Sequence, residues 1–153
     1  SIQRKYISMK VLLIEDNEHK KNLIFSFVED EFPNIQLELR KSYNSGLREL
    51  IKNSDYSLIL LDMSLPNYDI APGESGGDFE SLAGKYLLNE MYRRDINIKV
   101  VIVTMYQNYV DKEFNSGLRE NFSNYLGVIY FNLNDPDSWK NELRIILKSI
   151  DND

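Results

Sequence analysis

Three carboxylates stand where short apolar runs end. "KVLLI" (Lys10 to Ile14) leads into Glu15 and Asp16, and "SLILL" (Ser57 to Leu61) leads into Asp62. A third run, "IKVVIVT" (Ile98 to Thr104), ends on a hydroxyl. Runs of this length bounded by polar residues suit strands buried on both faces, so all four side chains are delivered to strand ends. If those strands are neighbours, the carboxylates crowd one crevice. Like charges so placed raise one another's pKa and destabilise the fold unless a cation neutralises them. Mg2+ is the natural cation, because it takes hard oxygen ligands, needs only one or two protein carboxylates and keeps several waters. With the metal on one side, a carboxylate can attack a phosphoryl group to give an acyl phosphate. The Thr104 hydroxyl can then hydrogen-bond the phosphoryl oxygens.

The elements that must position these groups alternate along the chain. After the first strand, Leu23, Ile24, Phe27, Val28 and Phe32 recur at helical spacing until Pro33. "IQLELR" sets Ile35, Leu37 and Leu39 on one face and polar residues on the other, as expected of an edge strand. Gly46 to Lys52 reads as a short helix, "SLILL" as the third strand, and Leu82, Tyr86, Leu87 and Met91 as the next helix. "IKVVIVT" is the fourth strand, Val110, Phe114, Leu118 and Phe122 mark a helix, and "GVIYF" from Gly127 is the fifth strand. Trp139, Leu143, Ile146, Leu147 and Ile150 complete a last helix, with Asp135 as its cap and Pro136 in its first turn. Five strands separated by helices predict an α/β fold: a doubly wound five-stranded parallel sheet, flavodoxin-like in its order 2-1-3-4-5, with helices on both faces. Ligands of such sheets sit beyond the carboxyl ends of the strands, where Glu15, Asp16, Asp62 and Thr104 fall.

Composition narrows the function. At 153 residues the expectation is one domain over 10–153, with 1–9 as an extension or linker. A formal charge of -6 works against direct binding of nucleic acid. The lack of cysteine and the single histidine exclude thiolate and clustered imidazole metal sites. No apolar run approaches the roughly 20 residues of a membrane span, and the start lacks the apolar core of a signal peptide, so a cytoplasmic protein without membrane contact is expected.

The acidic pair in "LLIEDN", the "LLDMSLP" segment, the strand-end threonine in "VVIVTM" and the β/α order together resemble the receiver domain of two-component response regulators (CheY-like), from about Lys10 to Ile150. The resemblance implies that Asp62 is the phosphoacceptor, that Asp16 is the principal Mg2+ carboxylate with Glu15 supporting, and that Ser64 offers a backbone carbonyl to the metal. It also implies that Thr104 follows the phosphoryl group, and that the partners are a histidine kinase or phosphotransfer donor and a downstream protein or effector domain.

Two departures stand out. The family ends its fifth strand with lysine and proline, whereas "GVIYFNLNDPDSW" has no lysine; the position falls on Phe131 or Asn132, with Asn132 preferred. A charge-assisted contact worth roughly 1.5 to 3 kcal/mol is thereby missing. Second, "PNYDIAPGESGGDFESLAG" makes an acidic insert at about 67–83, read as a flap rather than a phosphate-binding loop because it lacks the glycine-lysine motifs and its acids repel phosphate. The expected function is a phosphoryl-accepting signal receiver that switches a protein-interaction face, not an enzyme of turnover. The alternative is a phosphorylation-independent pseudo-receiver acting as an interaction module. A phosphatase of the D-x-D type is disfavoured because Ser64 occupies the second acidic position.

Overall fold

Strands β1 (Met9–Ile14), β3 (Leu58–Leu61) and β6 (Val100–Thr104) form the centre of the sheet, and nearly every side chain on them is buried. Each such Val, Leu or Ile contributes roughly 1.5–3 kcal/mol through loss of apolar surface from water. Strands β2 (Ile35–Arg40) and β7 (Tyr125–Tyr130) flank them, giving the order β2-β1-β3-β6-β7 with every pairing parallel. This is the doubly wound order expected of the sequence, with β2 at the edge. The computed structural model describes residues 9–70 and 79–151. The proposed extension up to Ser8 and the middle of the insert, 71–78 with Glu74 and Asp78, lie outside the described residues. Met9 already pairs with Ile35 and so belongs to β1.

Alternation along the strands fills both faces. Val11, Leu13, Leu58, Leu60, Val101 and Val103 meet Ile24, Phe27 and Val28 of α1 (Glu18–Glu31) and Trp139, Leu143 and Leu147 of α5 (Pro136–Asp151). Leu12, Ile14, Ile59, Leu61 and Ile102 meet α2 (Tyr43–Lys52), α3 (Ala83–Arg93) and α4 (Lys112–Asn121) on the other. No described helix is long and apolar enough to cross a membrane.

Boundaries at α2, α4 and the fifth strand also differ from those read in the sequence. Helix α2 begins at Tyr43 rather than Gly46, because Ser42 and Ser45 form a reciprocal capping box that satisfies its first N–H groups. A single 3-10 turn, Gln107–Val110, precedes α4, which starts only at Lys112 under an Asp111 cap. Strand β7 starts at Tyr125 and stops at Tyr130, so Phe131 lies just past its end.

The described flanks of the insert are tied down. Leu65–Pro66 (β4) pairs antiparallel with Phe79–Glu80 (β5), making a small ribbon beside the end of β3. Ser64 Oγ donates to the Ser81 carbonyl at 3.3 Å, and Ser45 Oγ donates to Asp69 at 2.8 Å. At the start of α3, a Cβ on Gly84 would stand 3.1 Å from the Asp62 carbonyl oxygen and 3.1 Å from Met63 Cα, so the absence of a side chain there lets the helix close against the loop that carries Asp62.

The edge strand is anchored through Glu49 of α2, which is buried and accepts from Arg40 at 2.6 Å, Asn53 at 2.7 Å and the Tyr56 hydroxyl at 2.9 Å. Burial pushes its carboxyl up, but the bonds from Asn53, Tyr56 and Arg40 outweigh this and hold it below its ordinary value. A carboxyl depressed in the folded chain contributes stability that is present above its unfolded pKa and lost as pH falls through the folded one. Urea unfolding followed from pH 7 downward is therefore expected to show an acid limb below about pH 4.5 that Glu49→Gln flattens. An unchanged slope in that variant would remove Glu49 from the acid response.

Candidate functional site

Backbone pairing brings the carboxylates together. Asp62 N–H donates to the Ile14 carbonyl at 3.1 Å, extending the β1-β3 ladder by one step, so Asp62 emerges beside Glu15. Carboxylate oxygens of Glu15, Asp16 and Asp62 lie within 4.8 Å of one another. Glu15 and Asp62 are buried and Asp16 is half-buried. Burial pushes the Glu15 carboxyl above its ordinary range, the Lys20 ammonium draws it back, and Asp62 adds to the rise. Asp16 is likewise raised, first by partial burial and then by the Asp62 charge.

Into this cluster comes a cation that the sequence reading passed over. Lys20 lies in the first turn of α1 and is 1% exposed. Its Nζ meets Glu15 Oε1 at 2.5 Å and Asp62 Oδ1 at 3.4 Å, and donates to the Val103 carbonyl at 2.5 Å. Glu15 Oε1 makes no well-aligned hydrogen bond, so the ammonium's charge compensates it at close range. Local structure fixes this placement. Asn17 caps α1 by accepting from Lys20 N–H at 2.9 Å, and Asn17 N–H in turn donates to Glu15 Oε2 at 3.1 Å. The helix then starts in the phase that turns Lys20, Ile24, Phe27 and Val28 inward. That phase was the available signal: a lysine on the same stripe as Ile24 and Phe27, four residues after Asp16, occupies a core position and requires a partner.

A cleft of about 370 Å³ opens beside the cluster, lined by Asp16, Asn17, Glu18, Lys20, Asp62, Ser64, Met105 and Tyr106. Glu15 stands behind it, against Lys20. Thr104 closes β6 as expected but is fully buried, its Oγ1 accepting from Tyr106 N–H at 3.0 Å. The hydroxyl keeps its own hydrogen to donate. His19 is exposed.

At the end of β7 the site-facing residue is Phe131, not Asn132. Phe131 N–H donates to the Thr104 carbonyl at 2.7 Å, the side chain is 1% exposed, and its ring centroid lies 5.9 Å from Lys20 Nζ. Asn132 instead turns its Oδ1 to Asn134 N–H. Parallel pairing of Tyr130 with Thr104 decides this, because the next residue continues inward against Trp139.

Glu15, Asp16 and Asp62 against one ammonium leave two formal negative charges in the cluster, the charge that one divalent cation carries. All the donors are hard oxygens, and Asp16 remains partly open to the cleft. The residues therefore fit a magnesium ion held by Asp16 and Asp62, with Glu15 behind.

No protein-family model matches the chain. In sequence it is 30% identical over 100 residues to the Detocs response regulatory protein DtcB of Enterobacter cloacae, a stretch that covers 65% of this chain and 67% of that protein. In fold it matches a response regulator from Hahella chejuensis with a TM-score of 0.69 and 18% identity, over 94% of this chain and 95% of that one. It also matches the response regulator TrrA of Thermotoga maritima in complex with Mg(2+)-BeF, with a TM-score of 0.64 and 15% identity over 93% and 98% of the two chains.

Proposed function

Because the chain belongs to the receiver family of response regulators, we propose that Asp62 accepts a phosphoryl group from a phosphohistidine donor and thereby switches a protein-interaction face. The observation that carries this reading is the single crevice in which Asp62, Asp16, Glu15 and Lys20 meet at the carboxyl ends of β1 and β3. An Asp62 oxygen attacks phosphorus, the new O–P bond forms as the P–N bond breaks, and the electron pair returns to the imidazole nitrogen, which takes up a proton. Asp62 gains one negative charge. Magnesium, held by Asp16 and Asp62, with the Ser64 carbonyl assigned to it by family resemblance, would screen the charge that builds on the phosphoryl oxygens. The Mg(2+)-BeF complex of TrrA supports this assignment of the metal.

The added charge acts locally first. The Thr104 hydroxyl, drawn to a phosphoryl oxygen, would loosen its bond from Tyr106 N–H. Tyr106 is 53% exposed and its ring meets Tyr109 edge-on at 6.2 Å, while the Tyr109 hydroxyl donates to the Ser81 carbonyl at 2.8 Å, near the C-terminal end of the insert. The β6–α4 loop and the root of the insert thus form one connected face, suited to a downstream protein partner. A cytoplasmic kinase or phosphotransfer protein is the donor in this reading, and the chain is modified rather than turning substrate over.

Incubation with acetyl phosphate and Mg2+, followed by intact-mass measurement, is expected to show one phosphoryl adduct that is absent from Asp62→Asn and from samples treated with a metal chelator. No adduct on the unaltered chain would favour a pseudo-receiver.

A further inference from the structure

We propose that Lys20, from the first turn of α1, is the cation that pairs with the phosphoryl group on Asp62. This rests on Asp62 being the acceptor. The ammonium already stands 3.4 Å from Asp62 Oδ1, so a phosphoryl group built on that carboxylate brings oxygens into its reach. Its other contacts span the sheet edge: Glu15 at the end of β1 and Val103 near the end of β6, each at 2.5 Å. The Phe131 ring beyond β7 lies 5.9 Å away and excludes water from that side. A lysine carries its charge on a flexible four-carbon stem with three rotatable donors, so it can turn one donor to a phosphoryl oxygen while keeping Glu15 in contact, without moving the helix.

The same geometry explains how the site works with an aromatic residue beyond β7. A cation is required at a point in space, and that point is reached here from α1. Phe131 is held against Trp139 with centroids 4.5 Å apart, so it supplies a wall in place of a charge. Before phosphorylation, Lys20 neutralises Glu15; afterwards, it shares the charge that Asp62 has gained.

Two measurements test the assignment. Phosphorylation of Lys20→Met by acetyl phosphate with Mg2+, followed by intact mass on samples whose folding is checked by circular dichroism, is expected to be on the order of 10- to 100-fold slower than that of the unaltered chain. On the unaltered chain, the Lys20 Nζ resonance, assigned by its loss in Lys20→Arg, is expected to shift when beryllofluoride and Mg2+ are added. An unmoved resonance, or a folded Lys20→Met phosphorylated at the unaltered rate, overturns the role of Lys20 alone. Failure of the unaltered chain to take up any phosphoryl group overturns the Asp62 reading and this assignment with it, so the two failures are distinguishable.

Discussion

Replacing Lys20 by alanine is expected to lower the unfolding free energy by about 3–5 kcal/mol, read from urea denaturation at neutral pH without divalent cations. The side chain is 1% exposed, and its ammonium is the close counter-charge of both Glu15 and Asp62. Truncation leaves Glu15, itself 1% exposed and already raised by burial, with no cation within contact distance among the described residues, so its carboxyl must stay charged without a partner or take up a proton. An uncompensated buried charge is among the most destabilising changes a core can suffer, whereas removal of both partners is often close to neutral. Lys20→Met combined with Glu15→Gln should therefore recover most of the loss. If Lys20→Ala cost less than about 1 kcal/mol, the value typical of exposed pairs, the ammonium would not be the counter-charge of an ionised Glu15. This thermodynamic role is separate from the kinetic one, since the double variant regains stability but not the phosphoryl contact.

Trp139→Ala is expected to cost a similar 3–5 kcal/mol, because it removes the largest fully buried side chain of the face shared by α1 and α5. The indole stacks on Phe131 at 4.5 Å and meets Phe27 edge-on at 5.7 Å, so its loss opens a cavity with two aromatic walls. Trp139 Nε1 has no acceptor among the described residues, and phenylalanine in its place forfeits no hydrogen bond. Trp139→Phe should accordingly cost only about 1 kcal/mol, a contrast that denaturation of the two variants would establish. Equal losses would mean that the ring nitrogen matters in a way the packing does not explain. Because Phe131 rests on Trp139 and faces Lys20, the alanine variant is also expected to slow phosphorylation, while the phenylalanine variant spares it.

Much of the fold was legible because buried parallel strands announce themselves. "KVLLI", "SLILL" and "KVVIVT" are apolar on both faces, and each leads into or ends on a polar residue that has no place in the interior except at the sheet's carboxyl edge. Helix ends were less legible where short-range polar chemistry decided them. The capping box at Ser42 lengthened α2, and the 3-10 turn before Asp111 shortened α4, neither of which is visible in hydrophobic period. The fifth strand was misplaced at its end because its burial alternates, so position alone could not separate Phe131 from Asn132.

The sequence by itself determined the alternation of strands and helices and the strand-end positions of Glu15, Asp16, Asp62 and Thr104, since each depends on neighbours a few residues away. Only the tertiary structure decided which cation serves them. Lys20 and Asp62 are far apart along the chain and meet through the β1-β3 register and the phase that the Asn17 cap gives to α1. An absent lysine after the last strand looked like a missing charge when the chain was read in one dimension. In three dimensions the charge comes from α1, because an electrostatic requirement is set by distance to the carboxylates and not by the element that delivers it.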